Sequence, residues 1–150
     1  MYMVDARGRV FDKHFVADHA VRESVNDALQ ESFQVDLPTD CQAVARGAHL
    51  AARAWFPSST IRRAQLLVLT VDLDIGPGLH VYGQPLPEGY VPMELQVDED
   101  DLLRVESIQY PEAASVTFAA LGETLPAYAG RAQIKARCLG MAREGSLPVR

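Results

Sequence analysis

Residues 66–90 read LLVLTVDLDIGPGLHVYGQPLPEGY. Leu67, Leu69, Val71, Leu73 and Ile75 alternate with Thr70, Asp72 and Asp74. A pleated strand sends successive side chains to opposite faces, so this spacing predicts one long strand with a single buried face. A helix would scatter the same residues around its axis. The Gly76-Pro77-Gly78 break supplies permissive torsions and one fixed φ, and His80-Val81-Tyr82 then restarts an extended run.

Outward from this segment, the pattern stays sheet-like. Ala48 to Phe56 predicts a strand, Pro57-Ser58-Ser59 a turn, and Arg63 to Ile75 the long strand. Met93 to Val97 and Leu102 to Ile108 predict further short strands, whereas Phe118 to Ala129 reads as irregular. Between Arg131 and Cys138, Ala132, Ile134, Ala136 and Cys138 alternate with Gln133, Lys135 and Arg137, the signature of a half-buried strand. Leu147 to Arg150 reads as the start of another strand.

The first forty residues differ. Tyr2 to Asp5, Ala6-Arg7-Gly8 and Arg9 to Phe15 predict a hairpin, with Asp5 opening the turn and Gly8 closing it. Val21, Val25, Ala28, Leu29 and Phe33 recur at helical spacing, predicting a helix over Asp18 to Phe33 capped by Asp18. Gln34 to Gln42, with Pro38, reads as a linker dividing residues 1–40 from a sheet domain over 41–150. The expected fold class is mainly β, an immunoglobulin-like antiparallel β-sandwich with an N-terminal β-hairpin and one α-helix.

Fourteen basic and twenty acidic residues give a net charge of −6, which argues against nucleic acid as a general partner. The basic C-terminal stretch containing Arg131, Lys135, Arg137, Arg143 and Arg150 holds no aromatic residue to stack a base. No apolar run approaches the ~20 residues that cross a bilayer, so no membrane association is expected. The start, MYMVDARGRV, lacks the basic-then-apolar order of a signal peptide. Read as written, this places the chain in the cytoplasm.

From about Ala48 to Arg150 the chain resembles the N-terminal domain of the thiol:disulfide interchange protein DsbD, an immunoglobulin-like sandwich. The resemblance rests on the alternating strand Leu66 to Ile75, the glycine turn before His80-Val81-Tyr82, and the loop Pro87 to Gly89. It continues through Tyr110-Pro111, Gly122-Glu123 and Tyr128 leading into the strand through Ile134. It implies a module that docks thioredoxin-like redox partners and resides in the cell envelope. The family's reactive cysteine pair is absent here, because the chain ends at Leu147-Pro148-Val149-Arg150, where the run preceding that pair would begin. Residues 1–35 resemble the end of a thioredoxin-like redoxin or peroxiredoxin domain. Together the two resemblances imply an interior segment of a longer redox protein, its sandwich truncated at the C-terminal end.

Candidate residues follow from both readings. Cys41 and Cys138 are the only thiols and form no metal-spaced cluster. They are the weak redox candidates, with Cys41 expected to be exposed in the linker and Cys138 buried by parity, paired only if the fold joins them. His80 offers a titrating ligand or a packed structural histidine. The resemblance implies that Tyr82 and Tyr128 border a binding groove; the other reading is ordinary core and rim aromatics.

His14, His19 and His49 lack metal-binding spacing, and the run DEDDLLRVESIQ from Asp98 to Gln109 lacks the glycine and final glutamate of a calcium loop. Asp72 and Asp74 share a strand face, as an acid-base pair or as a solvated surface. No catalytic centre, metal or cofactor is expected. The alternative to a redox-docking module is a non-catalytic interaction module, in which an incomplete sandwich exposes an edge strand for homodimerisation.

Overall fold

A computed structural model describes residues 2–13, 22–33, 41–142 and 144–147. The chain is mainly β: an antiparallel β-sandwich preceded by a hairpin and one α-helix, as the hydrophobic periods predict. Strands β1 (Tyr2–Val4) and β2 (Val10–Lys13) form the hairpin. Asp5 Oδ1 accepts the Arg7 and Arg9 amides at 2.8 and 3.0 Å, and Gly8 takes φ +75°. Strand β3 (Arg22–Glu23) and helix α1 (Val25–Phe33) follow.

The helix is shorter than its apolar spacing predicts. Ser24 caps it, with Oγ accepting the Asn26 amide at 3.2 Å, and the preceding two residues are spent on pairing with the sheet. Asp18, the expected cap, lies outside the described residues, as do residues 34–40 of the expected linker.

Then come β4 (Gln42–Arg46), β5 (Leu50–Trp55), β6 (Thr60–Arg62), β7 (Gln65–Ile75) and β8 (Val81–Tyr82). The rest are β9 (Leu103–Gln109), β10 (Ala114–Phe118), β11 (Glu123–Tyr128), β12 (Arg131–Gly140) and β13 (Glu144–Ser146). The larger sheet runs β4-β5-β7-β12-β9, and the smaller runs β10-β11-β8.

Strand β7 is central because it is paired along both edges. On one side β12 runs antiparallel from Leu66 to Asp74. On the other, β5 covers Thr70 to Ile75, and β3 lies parallel against Gln65 and Leu66. The gap between β3 and β5 leaves the Val68 amide without a strand partner. The Asp27 carboxylate of α1, 5 % exposed, accepts that amide at 3.3 Å with each oxygen. A buried backbone donor needs such a partner, so the helix completes the sheet through a side chain.

The inward faces of β7 and β12 form the core. Leu67, Leu69, Val71, Ile134, Ala136 and Cys138 are all buried. Toward the other end of the sheet, Ile75 and Ala132 pack with Tyr128 of β11 and Val81 of β8, which joins the two sheets. Met93, Leu95 and Val97 also pack inward, but 93–97 is not a ladder strand. Its amides go elsewhere: Met93 N–H to the Tyr82 carbonyl at 2.7 Å and Leu95 N–H to the Tyr110 hydroxyl at 2.9 Å. The expected irregular stretch, 118–129, is instead the β10–β11 hairpin, closed by a turn ending at Gly122 with φ +69°.

The opposite face of the large sheet is less solvated than its polar residues suggest. Thr70 is buried beside Trp55, itself 4 % exposed. Asp72 accepts Trp55 Nε1–H at 3.1 Å and Gln133 Nε2–H at 2.8 Å. Asp72 therefore anchors an indole, while Asp74 is exposed.

Candidate functional site

The two thiols are both buried, and no disulfide joins them. Cys138 is fully buried on the inward side of β12, as its parity predicts. Cys41 is also buried, 4 % exposed, which corrects the expectation of an exposed linker thiol. It immediately precedes β4, its carbonyl accepts the Phe56 amide at 3.0 Å, and its sulfur donates to the Leu147 carbonyl at 3.2 Å. These ladder and sulfur bonds draw the residue into the core.

Burial pushes the Cys138 thiol from its ordinary 9.0 up to about 11, since the apolar surroundings disfavour a thiolate. The unfolded chain loses this proton near pH 9, and the folded chain holds it to about pH 11. The stability this contributes is intact below pH 9 and is lost as pH rises through that window, at about 1.4 kcal/mol per pH unit. We expect Cys138→Ala to remove this part of the alkaline slope in urea titrations. We also expect thiol reagents to modify either cysteine only after unfolding; fast reaction of the native protein would contradict the buried geometry.

Four aromatic rings gather on the smaller sheet, His80 exposed and Tyr82, Tyr90 and Phe118 half-buried. Strand register sets the faces: Tyr82 pairs with Ala127, Val116 with Leu125, and Phe118 with Glu123, so these share one face. His80 stands 4.3 Å from Phe118 and 5.6 Å from Tyr82, between ring centroids. Tyr82 meets Tyr90 at 5.4 Å and Phe118 at 5.6 Å, both edge to face. Tyr90 also donates to Glu123 Oε2 at 2.6 Å, and this bond to a carboxylate raises the phenol above its ordinary titration range. By register Leu125 and Ala127 lie on the same face as Tyr82 and Phe118 and are buried, 4 % and 1 % exposed.

Around the rings the apolar surface continues. Leu79 is 40 %, Leu121 52 % and Val91 82 % exposed, each beside a member of the cluster in sequence or at the β10–β11 turn. Tyr128 does not belong here. It pairs with Val81 rather than Tyr82, so strand parity sends it inward against Ile75 and Ala132. Its hydroxyl donates to the Pro111 carbonyl at 3.0 Å, and burial raises its titration. A cavity of about 380 Å³ beside it is lined by Gln84, Pro85, Met93 and Tyr110.

Gly83 is needed at the junction, because a Cβ there would stand 2.7 Å from the Ala113 Cβ and 3.2 Å from the Tyr128 ring. Of the residues singled out in the sequence, His80 and Tyr82 lie together and Tyr128 on the opposite face, while Tyr90 and Phe118, which join His80 and Tyr82, are not singled out there. The signal for Phe118 was present: the alternation from Ala114 to Phe118, then a glycine turn, is a hairpin pattern.

Among the described residues no group of three His, Cys, Asp or Glu side chains converges to hold a metal ion, and no helix is long and apolar enough to cross a membrane. No family model matches the chain, and neither a curated protein nor a solved structure shows significant similarity to it.

Proposed function

We propose that this chain is a non-catalytic protein-interaction module that docks its partner on the aromatic face of the smaller sheet. The observation that carries this reading is the cluster of His80, Tyr82, Tyr90 and Phe118, whose rings are ordered against one another with His80 exposed and the other three half-buried. Rings held in this way lose little conformational freedom on binding and offer large amphipathic contacts, the pattern of an interface centre. The sequence resemblance nominates a thioredoxin-like redox protein as the first partner to test. The partner would supply the thiol chemistry, since Cys41 and Cys138 present no accessible sulfur in the folded chain.

Titration calorimetry with a thioredoxin-like protein tests both parts. We expect Tyr82→Ala and Phe118→Ala each to weaken binding about thirtyfold, the scale of an interface hot spot of about 2 kcal/mol. Cys138→Ala should leave the affinity unchanged. Binding that survives both aromatic substitutions would sink the assignment of this face, and binding abolished by the cysteine substitution would restore a thiol role to this chain.

A further inference from the structure

A second surface, on the larger sheet, carries an independent reading. We infer that the edge of β4, which no described strand covers, binds an extended acidic segment of a partner protein by adding it to the sheet as a further strand. Ladder parity fixes which groups are available. The Phe56 amide bonds to the Cys41 carbonyl at 3.0 Å and the Gly47 amide to the Leu50 carbonyl at 2.8 Å. Between these ends, odd-numbered residues of β4 pair inward with β5, through Ala43 with Ala54 and Ala45 with Ala52. The amides and carbonyls of Gln42, Val44 and Arg46 therefore point away from β5, and no described group takes them. Val44 is 55 % exposed at the middle of this row.

Native edges are normally blunted by lysine, proline or a bulge, and β4 has none of these. Such a row recognises any extended backbone, so side chains must select the ligand. The selecting charges are basic. Arg46 on β4 and Arg53 on β5 share the sheet face with Val44, which is paired directly with Arg53. Arg53 donates to the Gln42 side chain at 2.9 Å and lies over Trp55, 5.5 Å from the ring centroid; its cross-strand neighbour on β7, Asp72, is engaged by Trp55 and Gln133 instead. Arg46 has no hydrogen-bond or ion-pair partner among the described residues.

Beside them a groove of about 550 Å³ opens over Ala51; its acidic residues, Asp72 and Asp74, lie on β7, two strands in from β4, so the charges nearest the edge are those of Arg46 and Arg53. An added strand places alternate side chains on this same face. Acidic groups at positions i and i+2 would meet Arg46 and Arg53. A second copy of this chain fits less well, because antiparallel β4–β4 pairing brings the arginines of both copies to one seam with no acidic side chain in either β4.

The test uses the full chain and two synthetic octapeptides, one alternating Glu and Val, the other alternating Lys and Val, followed by NMR titration and light scattering. We expect the acidic peptide to bind, shifting the Gln42, Val44 and Arg46 amides, with affinity falling as salt rises. Val44→Pro removes an outward N–H but no bond within the sheet, and should weaken binding at least tenfold while the unfolding midpoint stays near wild type. Arg46→Glu should reverse the preference toward the lysine peptide. Equal binding of both peptides, binding unaffected by Val44→Pro, or no binding of the acidic peptide would each overturn the proposal. So would a stable dimer that Val44→Pro dissociates, which would make a second copy the occupant.

Discussion

Leu67→Ala is expected to lower the unfolding free energy by about 3 kcal/mol, the cost of removing a fully buried aliphatic side chain and leaving a cavity. Leu67 lies on the inward face of the central strand, has no exposed surface, and sits opposite Cys138 of β12. Strands on both sides of β7 are tied to its backbone, so the site cannot collapse inward without breaking ladder bonds. Urea denaturation should show the midpoint falling by about 1.5 M at unchanged slope, given a slope of about 2 kcal/mol/M for a domain of this size. Asp74→Ala, on the exposed side of the same strand, should change stability by less than about 0.5 kcal/mol. If the two substitutions cost the same, the assignment of faces on β7 is wrong.

That contrast rests on what the sequence makes legible. Period-two alternation locates β7 and β12 and their buried faces, because a strand covered on one side must keep that pattern along its length. Where the constraint is not periodic, the reading fails for identifiable reasons. Arg63-Ala64 carries no glycine, asparagine or proline, yet Ala64 adopts φ +62° and divides β6 from β7, so no residue type announces the turn. Met93, Leu95 and Val97 alternate like a strand but are held by the Tyr82 carbonyl and the Tyr110 hydroxyl, partners far away in sequence. Strand β4 is not assigned in the sequence because its alanines and Gln42 give no hydrophobic period; it is an edge strand and needs none.

The candidate surface was half legible for a related reason. His80 and Tyr82 announce themselves as aromatic residues of one parity, but which other rings join them depends on register. Two strands can be called correctly and still leave Tyr82 facing Ala127 or Tyr128 undecided, and a shift of one residue exchanges the two faces. Tyr90 reaches the cluster from the Pro87 to Gly89 loop, whose path no local pattern specifies. The thiols show the same division: parity buries Cys138, whereas Cys41 is buried by tertiary bonds to Phe56 and Leu147.

Those bonds also make Gly140→Ala the second strongly destabilising substitution. Gly140 ends β12, where its carbonyl accepts the Ala64 amide at 2.8 Å and the residue pairs with Leu103 of β9. A Cβ at this position would collide with the Arg62 carbonyl and lie 2.8 Å from Ile61 Cγ1. Neither neighbour can yield cheaply: Arg62 presents backbone, and Ile61 is fully buried in the core. The least costly response is to move β6 away from β12, and β6 carries β13 with it through the Thr60–Ser146 and Arg62–Glu144 pairs. We expect a loss of about 3 kcal/mol, at the upper end of overpacking costs because the clash is with main chain.

A local consequence separates this mechanism from a general loss of stability. Displacing β13 withdraws the Leu147 carbonyl from Cys41, so the Cys41 thiol should react with an alkylating reagent in the folded Gly140→Ala protein while Cys138, on the other side of the contact, stays protected. Peptide mapping of the alkylated sites under native conditions distinguishes the outcomes. Labelling of both cysteines at equal rates would mean that the whole sheet opens, and labelling of neither would mean that β12 absorbs the added methyl without moving the β6–β13 ribbon.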